Sequence, residues 1–238
     1  MIYVDTHQYT VALSYLDQAL ALDRELENLA GVARHLGNSG LIYGNEGQFD
    51  RAIALHQQAL AIDQALGKEA DVVRHRGNIA ELYRHQKLYP EALQYYDETI
   101  PLLRTMGAKY YLCWQLIQKA EVLFLCGRYA EAYEYTTEGL ALALVAGDPS
   151  DVVFAHVLLA KLRALDGETE QACTALLTLL ADTHDQTAQA LFSYTLWQLT
   201  GTEPYRESAL DLYQTLYAQS HYFLDEQRLN ELRAGANG

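Results

Sequence analysis

The sequence predicts an all-α protein, a solenoid of about 12 helices stacked as antiparallel pairs. Three observations carry that expectation. Half of the 238 residues are apolar, dominated by the strong helix formers Leu and Ala, and only 4 are Pro. Small residues return every 40 positions, with alanine at Ala12, Ala52, Ala92, Ala132 and Ala172 and a second series at Gly40, Ala80, Ala120 and Ala160. Between the turns the spacing is helical: Ala52, Ile53, His56, Ala59 and Leu60 form one stripe, and Ala92, Leu93, Tyr96, Thr99 and Ile100 repeat it. A single helix pair cannot bury such a stripe, so stacked neighbours must complete the core.

Taken in order, the chain opens on a half repeat at 8–29. "QYTVALSYLDQALALD" aligns with "QFDRAIALHQQALAID" forty residues on, which makes it the second helix of a pair without its first. This reads either as a piece of a longer protein or as a lost first helix. Units follow at 30–67, 68–107, 108–147, 148–183 and 184–220, with mid-unit turns at Gly47, Lys87, Gly127 and Gly167 and unit ends at Gly67, Gly107 and Gly147. The fifth unit departs from the spacing, since Gly201 and Ala209 are eight apart where Gly47 and Ala52 are five apart. Pro204 suits the first turn of that unit's second helix. Residues 222–233 read as an amphipathic helix closing the stack, and the terminal "AGANG" as disordered. Nothing in the pattern breaks 1–238 into more than one domain.

These spacings resemble the tetratricopeptide repeat, in which a small residue at position eight, Tyr at eleven and Ala at twenty hold the helix pair together. The chain supplies Gly40, Tyr43 and Ala52, then Ala80, Tyr83 and Ala92. The next two units depart at the eleventh position, where Leu123 and Arg163 stand. The 40-residue length is similar to the long repeats of kinesin light chains, Pins-type adaptors and bacterial signalling proteins. The resemblance implies a right-handed superhelix whose concave groove, lined by the first helix of each pair, binds an extended or helical peptide.

The charge narrows the partners. A formal net charge of -14 repels phosphate, so nucleic acid and anionic membrane are excluded as general partners. No signal peptide opens the chain, and its most apolar run, "GLALALVAG", is too short to span a bilayer. Cys113, Cys126 and Cys173 are solitary and read as buried small hydrophobes in a reducing, cytoplasmic setting. The eight histidines form no metal-binding pair at helical spacing and read as exposed or half-buried ring contacts, with His35 and His75 as neighbours on adjacent helices. There is no phosphate loop and no nucleophile elbow. The expectation is a non-enzymatic protein with no cofactor and no metal.

The groove positions of the first helices change character along the chain. "RHLGN" at 34–38 returns as "RHRGN" at 74–78. Arg34 and Asn38, and again Arg74 and Asn78, share a helix face four residues apart. In the Pins-type adaptors Arg and Asn at these positions hold acid-rich peptides, and the resemblance carries that role here. Arg84, Trp114, Gln118 and Phe154 complete the expected peptide-binding set, polar over the first two units and apolar beyond. Gly37 and Gly77 each cost their helix about 1 kcal/mol relative to Ala, which calls for a close approach. Two readings remain open for these residues: contacts to a partner, or packing between units. A regulatory module of a larger bacterial signalling protein and a homodimer through the N-terminal half repeat are the alternative functions.

Overall fold

The computed structural model describes residues 6–146 and 148–235, which fold as twelve α-helices with no strand among them. They are α1 (Thr6–Glu25), α2 (Leu29–Asn45), α3 (Phe49–Ala65), α4 (Glu69–His85), α5 (Tyr89–Met106) and α6 (Lys109–Leu125), then α7 (Tyr129–Ala146), α8 (Pro149–Leu165), α9 (Thr169–Asp182), α10 (Gln186–Thr200), α11 (Glu203–Ser220) and α12 (Phe223–Ala234). Each helix packs on the next in sequence, giving a stack of antiparallel helix pairs.

The chain reverses within two or three residues at each connection, and at most of them one residue enters the left-handed region and closes the preceding helix. At the end of α4 this is Lys87, at φ 61°, where the N–H groups of Lys87 and Leu88 donate back to the carbonyls of Arg84 and Tyr83 at 2.9 Å. Gly47, Gly127 and Gly167 play the same part after α2, α6 and α8. Asn28, Asp148 and Asp185 cap the first turns of α2, α8 and α10 with their side-chain oxygens. Gly147 lies outside the described residues.

The two series of small residues lie where paired helices cross. Ala52, Ala92, Ala132 and Ala172 are fully buried, as are Ala80 and Ala120. At Gly40 a Cβ would stand 2.9 Å from His56 Nε2, so glycine there makes room for a ring. Larger side chains such as Ile79, Tyr96, Leu116 and Leu123 fill the layers between. The first helices α2, α4, α6, α8 and α10 also touch one another in succession, and this tighter spacing places them on the concave side.

The packing corrects three expectations. Cys126 is exposed at the C-cap of α6, while Cys113 is buried. His56 and His75 are fully buried, and His75 meets His56 and Asp63 instead of His35. Ala234 ends α12 and Gly235 packs over Trp197, so these two residues of the terminal stretch are ordered; 236–238 lie outside the described residues.

Candidate functional site

The repeated pentapeptide divides its residues between two tasks. His35 lies 3.0 Å from Asp23 and His75 lies 3.3 Å from Asp63, each tying a first helix to the second helix before it. Gly37 faces the following layer, where a Cβ would come within 2.5 Å of His75 Cε1. At Gly77 a Cβ would fall 2.6 Å from Gln115 and 2.7 Å from Trp114. Packing between units therefore accounts for both glycines, and the close approach they permit is that of the next helix's side chains.

Arg and Asn take the outward task. Arg34 and Asn38 are exposed, and among the described residues neither side chain forms an ion pair or hydrogen bond. Arg74 and Asn78 are half-buried, and Arg74 donates to Asp71 at 2.7 Å. Arg34 and Arg74 share a cleft of about 220 Å³ with Asn28, Asp63, Lys68 and Asp71. Three cations there face two carboxylates, and burial pushes the Asp63 carboxyl up. This corner is thus locally cationic within an acidic chain.

Farther along, the expected residues are more committed to the protein itself. Arg84 lies 3.1 Å from Glu121 and 3.8 Å from Glu81, with His85 Nε2 at 3.0 Å. Gln118 is buried, and its Oε1 has no partner among the described residues. Trp114 covers Gly77 and remains half-buried. Phe154 packs against the clusters around Leu191 and Phe192 on one side and Cys113 and Ile117 on the other. The structure therefore brings Arg34, Asn38, Arg74 and Asn78 to an open surface, and places Arg84, Gln118 and Phe154 within walls already in use.

The sequence pattern carried no signal for the course of α12. This helix leaves α11 through His221 and crosses the inner face of the stack. Phe223 stands edge-on to Phe49 with ring centroids 5.2 Å apart, and a Cβ on Gly47 would meet it at 3.0 Å. The charges of Glu81 and Arg84 reach the Tyr222 hydroxyl, and that of Glu121 reaches Arg228. Burial pulls the Lys161 ammonium down, with the charges of Glu121, Arg228 and Glu231 also acting on it. Tyr194 donates to Glu231 near the far end of α12. Residues 222–233 lie outside the 40-residue repeat, so periodicity could place a helix there but not say which surface it covers.

Among the described residues no group of three or more His, Cys, Asp or Glu is placed to hold a metal ion, and no helix is long and apolar enough to cross a membrane. What the geometry defines is a superhelical stack of antiparallel helix pairs.

The Tetratricopeptide repeat family model matches residues 1–65 and 31–105, and helix pairs of the same kind continue beyond them. No curated protein matches the sequence. Among solved structures, BtubC (BKLC) from P. vanneervenii is similar with a TM-score of 0.66 at 15% identity, over 97% of this chain and 92% of that one. The apo form of the quorum sensor NprR from B. thuringiensis is similar with a TM-score of 0.67 at 16% identity, over 98% of this chain and 70% of that one. NprR in complex with its cognate peptide NprX gives 0.63 at 16% identity, over 98% and 71%. At such identities the likeness is one of fold.

Proposed function

We propose that this chain is a protein-interaction module whose concave face takes a peptide segment, with an acidic stretch of that segment held near Arg34, Asn38, Arg74 and Asn78. The observation that carries the reading is the free Arg34 guanidinium beside Arg74 and Lys68 in one cleft of an otherwise acidic protein. An Arg fork grips a carboxylate through two parallel bonds, and an Asn amide both donates to and accepts from a peptide backbone. The structure of NprR with its cognate peptide NprX is of a similar fold and supports the same class of ligand, and that of the quorum sensor NprR in its apo form supports a sensory role. The residues serve binding and not catalysis in this reading. An array of acid-rich peptides, probed with the native chain and with Arg34→Ala/Arg74→Ala, tests it. Selected peptides should bind at least about tenfold more weakly to the double variant, with thermal stability nearly unchanged because the Arg74–Asp71 pair is partly exposed and worth at most about 1 kcal/mol. Equal binding by both chains would sink the reading.

A second reading, self-association through α1, is favoured by the exposed Val11, Tyr15 and Leu22 on that helix and Leu26 and Leu29 beside it. The α1 residues Ala12, Leu13, Leu16, Ala19 and Asp23 are half-buried, whereas their counterparts Ala52, Ile53, His56, Ala59 and Asp63 in α3 are buried under a first helix. Light scattering should then give a dimer mass for the native chain and a monomer mass for Tyr15→Glu/Leu22→Glu.

A further inference from the structure

The two ends of α12 are held in different ways. Its C-terminal half belongs to a core: Leu229 and Leu232 are buried with Tyr194, Tyr213 and Leu216, and Arg206 Nη1 donates to the Leu232 carbonyl at 2.7 Å. Its N-terminal end is held by short polar ties to the end of α11, where Ser220 donates to the buried Asp225 at 3.3 Å and accepts from the Tyr222 N–H at 3.1 Å, and by one long-range aromatic contact. Tyr222, Phe223 and Leu224 are only half-buried, and Phe223 reaches across the channel to the α2–α3 turn, about 170 residues away along the chain. His85 stacks on the other side of this contact, its ring centroid 5.5 Å from that of Phe49. The connection from α11 turns at His221, a residue other than glycine with φ 49°.

The surface beneath is polar and incompletely matched. Arg84 Nε, Gln118 Oε1, Tyr96 Oη and Tyr213 Oη are buried with no partner among the described residues. Lys161 makes no ion pair among the described residues, although Glu121 and Glu231 act on it. Most buried polar groups in a settled core find partners, so the inner wall retains hydrogen-bonding capacity that α12 does not use.

We propose that α12 is an internal occupant of the concave channel, latched by Phe223 on the Gly47–Phe49 turn, and that a partner reaches the covered Arg84 only when this latch opens. The proposal rests on reading the concave face as a binding surface and adds how access to it is controlled. The aromatic contact closes the first unit against the last helix, as a clasp joins the ends of an open ring. Opening it lets the first turns of α12 loosen between the His221 connection and the anchored Leu229 and Leu232, which keep the rest of the helix on α10 and α11. The incoming segment best suited to the exposed wall is a helix that copies what it displaces, with neighbouring aromatics in its first turn and a cation about one and a half turns later, as Tyr222, Phe223 and Arg228 provide.

Hydrogen exchange resolved by segment, on the full chain and on Phe223→Asp, tests the latch without any partner. The expected result is exchange faster by about tenfold or more at 222–228, with protection of α2–α11 retained. Small-angle scattering should show a larger maximum dimension for the variant. Phe49→Ala removes the same contact from the other side and should give the same result. Unchanged exchange at 222–228 in both variants overturns the proposal. So does loosening spread through α10 and α11, which would make α12 an integral cap. Neither outcome touches the Arg34/Arg74 test, so the two readings fail separately.

Discussion

His56 Nδ1 and His75 Nδ1 lie 3.1 Å apart in the core between α3 and α4, with both rings fully buried. Only one of the two nitrogens carries a proton in a pair of neutral rings. The tautomers that avoid a clash let His56 donate to His75, while His75 Nε2–H points at Asp63 Oδ2, 3.3 Å away but off-line for a good hydrogen bond.

This pair makes stability depend on pH. Burial lowers His56 to about 3 and His75 to about 4, from 6.5. Folded-state values below the unfolded ones mean that the stabilisation is fully present above pH 6.5 and is lost as pH falls toward 4. Between pH 7.5 and 5 the pair costs on the order of 2–4 kcal/mol. Urea midpoints across that range should fall accordingly. His75→Gln, the residue that Gln115 provides one layer on, should remove roughly half of the dependence.

Asp151 works in the opposite direction. Its Oδ2 lies 3.5 Å from Cys113 Sγ, and burial raises the carboxyl to about 6 and the thiol to about 12. An acid with a raised folded-state value favours folding when protonated, so this contribution is lost as pH rises from about 4 through 6. Asp151→Asn should therefore stabilise the fold by about 1–3 kcal/mol at pH 8 and change little at pH 4.5, read as the shift in denaturant midpoint at the two pH values.

Gly37→Ala and Gly77→Ala test the division of labour within the pentapeptides. Inside an exposed helix such a change gains about 1 kcal/mol. Here the new methyl meets His75 at 2.5 Å, or Gln115 and Trp114 at 2.6 and 2.7 Å, in layers that are already filled. Overpacking of this kind costs about 1–3 kcal/mol, so each variant should melt lower than the native chain. A stabilised variant with impaired peptide binding would instead make the glycine part of the binding surface.

The candidate site was legible only in part. Arg34 stands out in sequence because Arg takes this position only in the first two units, with Trp114 and Phe154 in the next two, and the structure leaves both Arg34 and Asn38 exposed. Gly37 and Gly77 looked equally notable but serve the adjacent layer, a distinction that no single repeat can reveal. The burial of Gln118 was hidden for a similar reason: a helix face predicts which residues share a side, not how deeply the next unit covers that side.

Local periodicity by itself determined the helix pairs, their 40-residue register and the small residues at each crossing, because those features depend on contacts within a unit and with its immediate neighbour. The tertiary structure alone decided that Phe223 would close on Phe49 and that α12 would cross the channel. That contact joins residues 174 positions apart. It depends on the curvature accumulated over the whole stack, the sum of small rotations at every interface, and no local sequence pattern encodes such a sum.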